Sequence, residues 1–248
     1  MIHLSRRHKS LVLIAILLLT LSGCGISRHA TLPEISTQPV VREFEQPGRS
    51  QVDSLMGIYG HNKKFVDEFI EPALIALSYY PELKDVHIEF KYSGEATTMA
   101  ARPDPFSLFS ERKYLVLINN KKNFEGILLE EVPFNAQIGI IGHELAHIAD
   151  YDNHNVWGIA GIYLRYLDNK RRVLFEKETD KATIERGLGW QLYDWTTYST
   201  MANNNSSDAY RKFKQETYMH PERIKQVISY IAKYGDANSS IPQSVASE

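Results

Sequence analysis

The chain has almost no cysteine. Cys24 is the single one among 248 residues, which excludes an internal disulfide and any CxxC-type metal or redox site. It also lacks a hydrophobic run long enough to cross a bilayer. The most apolar stretch, residues 11–21, covers eleven positions, whereas a bilayer core of about 30 Å needs roughly 20. Charge of one sign is not in excess either, with 28 Lys and Arg against 30 Asp and Glu. No basic stripe interleaved with aromatics runs through the chain, so no nucleic-acid partner is expected. Internal repeats are absent.

What is present suits one packed domain with appendages: 43% of the residues are hydrophobic and 11% aromatic. The N-terminus has a separate character. Arg6, Arg7 and Lys9 precede the apolar run, and Leu21-Ser22-Gly23-Cys24 closes it. That ending resembles the bacterial lipobox. The resemblance implies a signal peptide over 1–23, cleaved before Cys24, and a diacylglyceryl group on the Cys24 sulfur that anchors the protein to a membrane. A cleaved signal peptide with an incidental cysteine, or a short uncleaved anchor, would still export the chain. Gly25 stands where an aspartate would retain a lipoprotein at the inner membrane, so the periplasmic face of the outer membrane is the expected address. Loss of 1–23 removes three cations and no anions, taking the formal net charge from −2 to −5.

Residues 24–50 contain Pro33, Pro39, Pro47 and Gly48 without a sustained apolar period, which reads as a flexible tether. From Asn62 the residues Val66, Phe69, Ile70, Ala73, Leu74 and Leu77 recur at helical spacing, with Pro72 kinking that helix or starting a second. Val86, Ile88, Phe90 and Tyr92 alternate with His87, Glu89 and Lys91 as in a half-buried strand, and the continuous apolar run 114–118 reads as a more buried one. Residues 135–150 form an amphipathic helix on Ile138, Ile141, Leu145 and Ile148. Further helices are expected from Val156, from about residue 170 to Ile184 with an end at Gly187, and from Pro221 to about Tyr234. The tail 236–248 is expected to be disordered. The fold class expected is α+β, a small sheet packed on helices, in one domain over 51–235.

His143-Glu144-Leu145-Ala146-His147 matches H-E-x-x-H and falls on the amphipathic helix. Histidines four apart stand one turn above each other on one face, so both imidazoles can reach one Zn²⁺ at about 2.0–2.1 Å. Glu144, one residue along, projects beside the open coordination position, where it can accept a proton from water and later deliver it to a leaving amine. Gly139 and Gly142 in the preceding turn argue against a generic solvated helix, since each costs about 1 kcal/mol relative to Ala, and they point to close packing there.

The third ligand decides the class. In the pattern H-E-x-x-H-x-x-G-x-x-H this chain has Asp150 where Gly is required and Asn153 where the last His belongs, which excludes a metzincin; His154, one residue late, reads as a loop histidine. Downstream, Glu176-Lys177-Glu178-Thr179-Asp180 resembles the gluzincin E-x-x-x-D element. The resemblance is to thermolysin-like gluzincins broadly, and more closely to the membrane and periplasmic group of the HtpX and prenyl-protein protease families. It covers about residues 85–185 and implies a zincin-like domain. It also implies Glu176 as third zinc ligand and Asp180 as the partner that orients His143 or His147. Thr179 departs from those families, which usually carry a hydrophobic residue or alanine there. Glu176 and Glu178 point about 200° apart around a helix, so only one can face the metal. Glu176 stands four residues before Asp180 and shares its face.

The function expected is therefore zinc-dependent hydrolysis of peptide bonds, with a protein or peptide substrate. The alternative from another class is a lipid-anchored envelope binding or assembly protein with a structural zinc; hydrolysis of a non-peptide amide is a third. An edge strand that pairs with extended substrate is expected within residues 97–109. An oxyanion donor is expected in the C-terminal half, where Tyr210, Tyr218 and His220 stand as alternatives. The aromatic stretch 156–163 reads as core packing, with lipid contact as the alternative.

Overall fold

The computed structural model describes residues 39–108, 111–201 and 204–234. Cys24, the apolar run before it and the tail 236–248 lie outside the described residues. Among those described, no helix is long and apolar enough to cross a membrane.

The architecture is α+β, a four-stranded mixed sheet with helices. The strands are β1 (Lys63–Lys64), β2 (His87–Ser93), β3 (Met99–Pro103) and β4 (Lys113–Asn119), in the order β1-β2-β4-β3. β1 and β2 are parallel, as are β2 and β4, whereas β3 runs antiparallel to β4, with Ala101 opposite Val116. The apolar run in β4 is central and buried from Tyr114 to Ile118, as expected of a strand with neighbours on both sides. β2 keeps its alternation at Ile88 and Phe90, but Tyr92 is exposed. β3 is an edge strand inside the segment where one was expected.

Eight α-helices are described: α1 (Arg49–Tyr59), α2 (Ile70–Ser78), α3 (Phe134–Asn153), α4 (Val156–Arg165), α5 (Asn169–Thr183), α6 (Gly189–Thr200), α7 (Asp208–Thr217) and α8 (Pro221–Tyr234). α2 starts at Ile70 rather than near Asn62, because Lys63–Lys64 pairs with β2 and a single 3-10 turn, Asp67–Phe69, intervenes. Pro72 sits in the first turn of α2, where its missing N–H costs no hydrogen bond. α5 runs through a wide π turn, Ile184–Leu188, and Gly187 breaks the helical path at φ 99°, a conformation glycine adopts without a Cβ penalty.

α3 is the central helix. It packs on α2, α6 and β3, and Ile138, Ile141, Leu145 and Ile148 are fully buried. A Cβ on Gly139 would lie 2.1 Å from the carbonyl oxygen of Gln191. The two helix backbones touch there, which is the close approach the glycine spacing pointed to. The Tyr80 hydroxyl, just past α2, donates to the Gly142 carbonyl at 2.5 Å, immediately before His143.

Part of the expected tether lies on the domain. Phe44 packs against the core and meets Tyr79 edge-on at 6.0 Å. Arg42 donates to both carboxylate oxygens of Asp194, at 2.8 and 2.9 Å. α1 begins at Arg49. Isolated anchors of this kind leave no periodic trace in a sequence, which is why residues 39–50 looked structureless.

Candidate metal centre

Two helices supply the cluster. α3 carries His143, Glu144 and His147 on its buried length, and α5, packed against it, carries Glu176, Thr179 and Asp180, all buried. His143 Nε2 is 3.1 Å from Glu176 Oε2 and 3.2 Å from His147 Nε2, and His147 Nε2 is 3.3 Å from Glu176 Oε2. The three atoms form a nearly equilateral triangle. Donors held at about 2.0–2.1 Å around one tetrahedral ion stand roughly 3.3 Å apart, so the triangle has the size zinc requires. His143, His147 and Glu176 are the described group of His, Cys, Asp or Glu that can hold a metal ion.

The outer contacts determine which atoms of that triangle carry hydrogen. His143 Nδ1 lies 2.8 Å from Asp180 Oδ1, a carboxylate that can only accept, so Nδ1 bears the hydrogen and Nε2 is left bare. Thr179 Oγ1 donates its one hydrogen to the Phe175 carbonyl at 2.9 Å. Towards His147 Nδ1, at 3.3 Å, it can then only accept, which leaves His147 Nε2 bare as well. The Tyr166 hydroxyl donates to Glu176 Oε1 at 3.2 Å, leaving Oε2 turned to the histidines. Three lone-pair atoms within 3.3 Å of each other repel unless a cation stands among them. The donor set thus fits a divalent ion and matches the pattern in which a metal-ligating histidine gives its other N–H to a nearby acceptor.

The electrostatics agree. Burial works against a charged His143, but contacts with Asp180 and Glu176 outweigh it and hold the imidazole up at about 10. Burial also opposes charge on Glu176, yet His147 and His143 keep its carboxyl far below the usual carboxylate range. A cation is favoured at this point, whether a metal ion or a proton on His143 Nε2, and it is faced by an ionised carboxylate.

No protein-family model, curated protein or solved structure matches this chain. What the cluster does must therefore be argued from its own residues.

Glu144 is buried beside the triangle but takes no part in it, and its Oε2 has no hydrogen-bond partner. Burial pushes its carboxyl up, against the opposing pull of His143 and His147. An orphaned buried carboxylate oxygen is costly; His143 Nδ1 and Asp180 Oδ1 also lack a hydrogen bond of good geometry but face each other at 2.8 Å, whereas Glu144 Oε2 faces no such partner. Of the three expected oxyanion donors, Tyr210 is committed elsewhere, its hydroxyl 2.7 Å from Thr98 Oγ1, and His220 is exposed. The Tyr218 ring packs edge-on against His143 at 5.5 Å between centroids. Burial holds the Tyr218 phenol well above its usual range, so it stays a donor.

Every expected site residue on α3 and α5 lies in this one cluster. Glu178 instead is exposed and bonded to Arg165 at 3.1 Å. His154 stands apart at the end of α3, its Nδ1 2.6 Å from the Asp150 carbonyl. Sequence reasoning missed Tyr166 and the role of Thr179. Thr179 carried a signal, since it is the position at which the motif departs from the resembling families; Tyr166 carried none.

Proposed function

We propose that this chain is a zinc-dependent metallopeptidase with a zincin-like active site, His143, His147 and Glu176 being the ligands and Glu144 the general base. The observation that carries the reading is the conjunction of a zinc-sized triangle of bare donors with an unpartnered buried carboxylate on the same helix. A purely structural metal site has no use for Glu144 at that position. Zinc held by the three ligands supplies a Lewis acid and makes hydroxide available near neutral pH.

The chain's own groups do the rest. Glu144 takes the proton of the attacking water at its free oxygen and delivers it to the departing amine; the burial that raises its carboxyl brings it towards the pH at which such a shuttle works best. Tyr218 is the donor for the oxygen on which charge develops. Asp180 and Thr179 keep both imidazoles presenting Nε2. β3, an edge strand beside α3, offers free main-chain groups to an extended peptide, so the backbone of a protein or peptide substrate is held by pairing. The lipobox resemblance supports an address for this activity at the periplasmic face of a bacterial membrane, anchored through Cys24.

The test is proteolysis of an unfolded protein by the purified chain, after chelation and after zinc is restored. Cleavage that disappears on chelation and returns with zinc supports the reading. Zinc bound stoichiometrically without cleavage of any unfolded substrate would favour a binding protein instead.

A further inference from the structure

The stretch expected to be core, residues 156–163, buries only one side of α4. Ile159 and Ile162 face inward. The opposite side carries Trp157, Gly161 and Leu164, which recur at intervals of four and three and so share one face. Trp157 is 55% exposed and Leu164 49%. The link to α5 adds Leu167 at 65%, and the start of α5 adds Leu174 at 58%. Arg165, next to Leu164, reaches Glu178 at 3.1 Å, and Glu178 lies one turn beyond Leu174 on α5. Single exposed leucines need no explanation, but a tryptophan and three leucines on one elbow do.

The charges in this stretch are mostly cationic, although exposed Glu178 pairs with Arg165 at its edge. No charged residue occurs from Val156 to Leu164, and from Arg165 to Leu174 the chain places Arg165, Lys170, Arg171 and Arg172 against Asp168 alone. Asp168 is turned to its own helix, where it caps the N–H of Arg171 at 2.8 Å. Lys170 and Arg171 are exposed and make no ion pair among the described residues. A local excess of cations stands out on a chain whose formal net charge is −2.

We propose that the α4–α5 elbow is a membrane-docking surface, with Trp157, Leu164, Leu167 and Leu174 entering the acyl boundary and Lys170 and Arg171 meeting anionic lipid headgroups. An exposed apolar helix face with an interfacial tryptophan, bordered by cations, is the composition that lies in a bilayer interface. Each cation near an anionic surface strengthens binding about fivefold, the equivalent of roughly 1 kcal/mol. The exposed charged groups bordering this face that neither pair nor cap, Lys170 and Arg171, are both cations, which suits an anionic surface. The proposal stands on α4 and α5 alone; it needs neither the metal reading nor a lipid on Cys24.

The experiment attaches the full chain to vesicles of phosphatidylethanolamine and phosphatidylglycerol whose acyl chains carry bromine, and follows tryptophan emission. Trp190 and Trp195, which pack on or within the core, are the internal reference. The expected result is a blue shift and quenching that vanish in Trp157→Phe and weaken in the double variant Lys170→Glu/Arg171→Glu. Both variants change exposed residues and leave the fold intact. Emission from Trp157 that stays unquenched on these vesicles would overturn the proposal. So would a blue shift already present without lipid, which would mean that a second copy or another part of the chain covers the face. Quenching undiminished in the double variant, or equal on vesicles lacking phosphatidylglycerol, would overturn the anionic-headgroup assignment.

Discussion

The Asp180 carboxylate stands 2.8 Å from Nδ1 of His143, and its other oxygen accepts the backbone N–H of Met219 at 2.7 Å. One buried side chain thus ties the motif helix to the link between α7 and α8, the segment that brings Tyr218 against the His143 ring. Asp180→Ala should weaken zinc binding on the order of 10–100-fold, because it frees the imidazole to rotate and to change tautomer. A competition titration against a zinc chelator reads this directly. Unchanged affinity would mean that Asp180 serves only to hold Met219.

The choice between the two glutamates is open to the same measurement. Glu176→Ala removes one corner of the donor triangle and should abolish stoichiometric zinc. Glu178→Ala removes only an exposed partner of Arg165, an ion pair worth about 0–1 kcal/mol, and should leave zinc content unchanged. Loss confined to the second variant would reverse the ligand assignment.

Thr179 supplies a prediction that separates hydrogen bonding from shape. Thr179→Val keeps the volume but removes the oxygen that accepts from His147, so zinc affinity should fall by about tenfold or more. Thr179→Ser restores the oxygen and should recover most of the loss. Equal weakening in both variants would point to packing around Phe175 rather than to the hydroxyl.

Gly139 and Gly142 should differ in their tolerance of a methyl group. In Gly139→Ala the new Cβ meets backbone, the Gln191 carbonyl, and α3 and α6 must separate; overpacking of this kind costs about 1–3 kcal/mol or more. In Gly142→Ala the nearest atom is the Leu188 Cδ1 at 2.6 Å, the far end of a side chain that can rotate. Denaturant unfolding should therefore rank Gly139→Ala as clearly the less stable of the two.

The contrast between those glycines also shows what was legible in the sequence. Periodicity located α3, the buried strand β4 and the final helix, because each shows its burial in its own spacing. The clustering of His143, His147 and Glu176 was legible as well, since histidines four apart and a carboxylate four residues before Asp180 are statements about helix faces. α1, α6 and α7 were not found. α6 is buried by contact with α3 rather than by a stripe of aliphatic residues: its inward side includes Gln191, Thr196 and Ser199, whose side chains donate hydrogen bonds within the protein. Tyr166 could not be found either, because it reaches Glu176 from another helix, and spacing within one segment carries no trace of such a contact. The stretch from Val156 misled for the opposite reason: it is apolar all round, but only half of it has a partner.

The central claim is that Glu144 performs chemistry at a metal held by other residues, and replacing its carboxylate by the amide of the same shape tests it most directly. Zinc content and cleavage of an unfolded protein should be measured side by side for the wild-type chain and Glu144→Gln. The account predicts equal zinc in the two and turnover lower by about 10²–10⁴-fold in the variant, the usual contribution of a general acid–base group. Equal zinc with undiminished cleavage would contradict it.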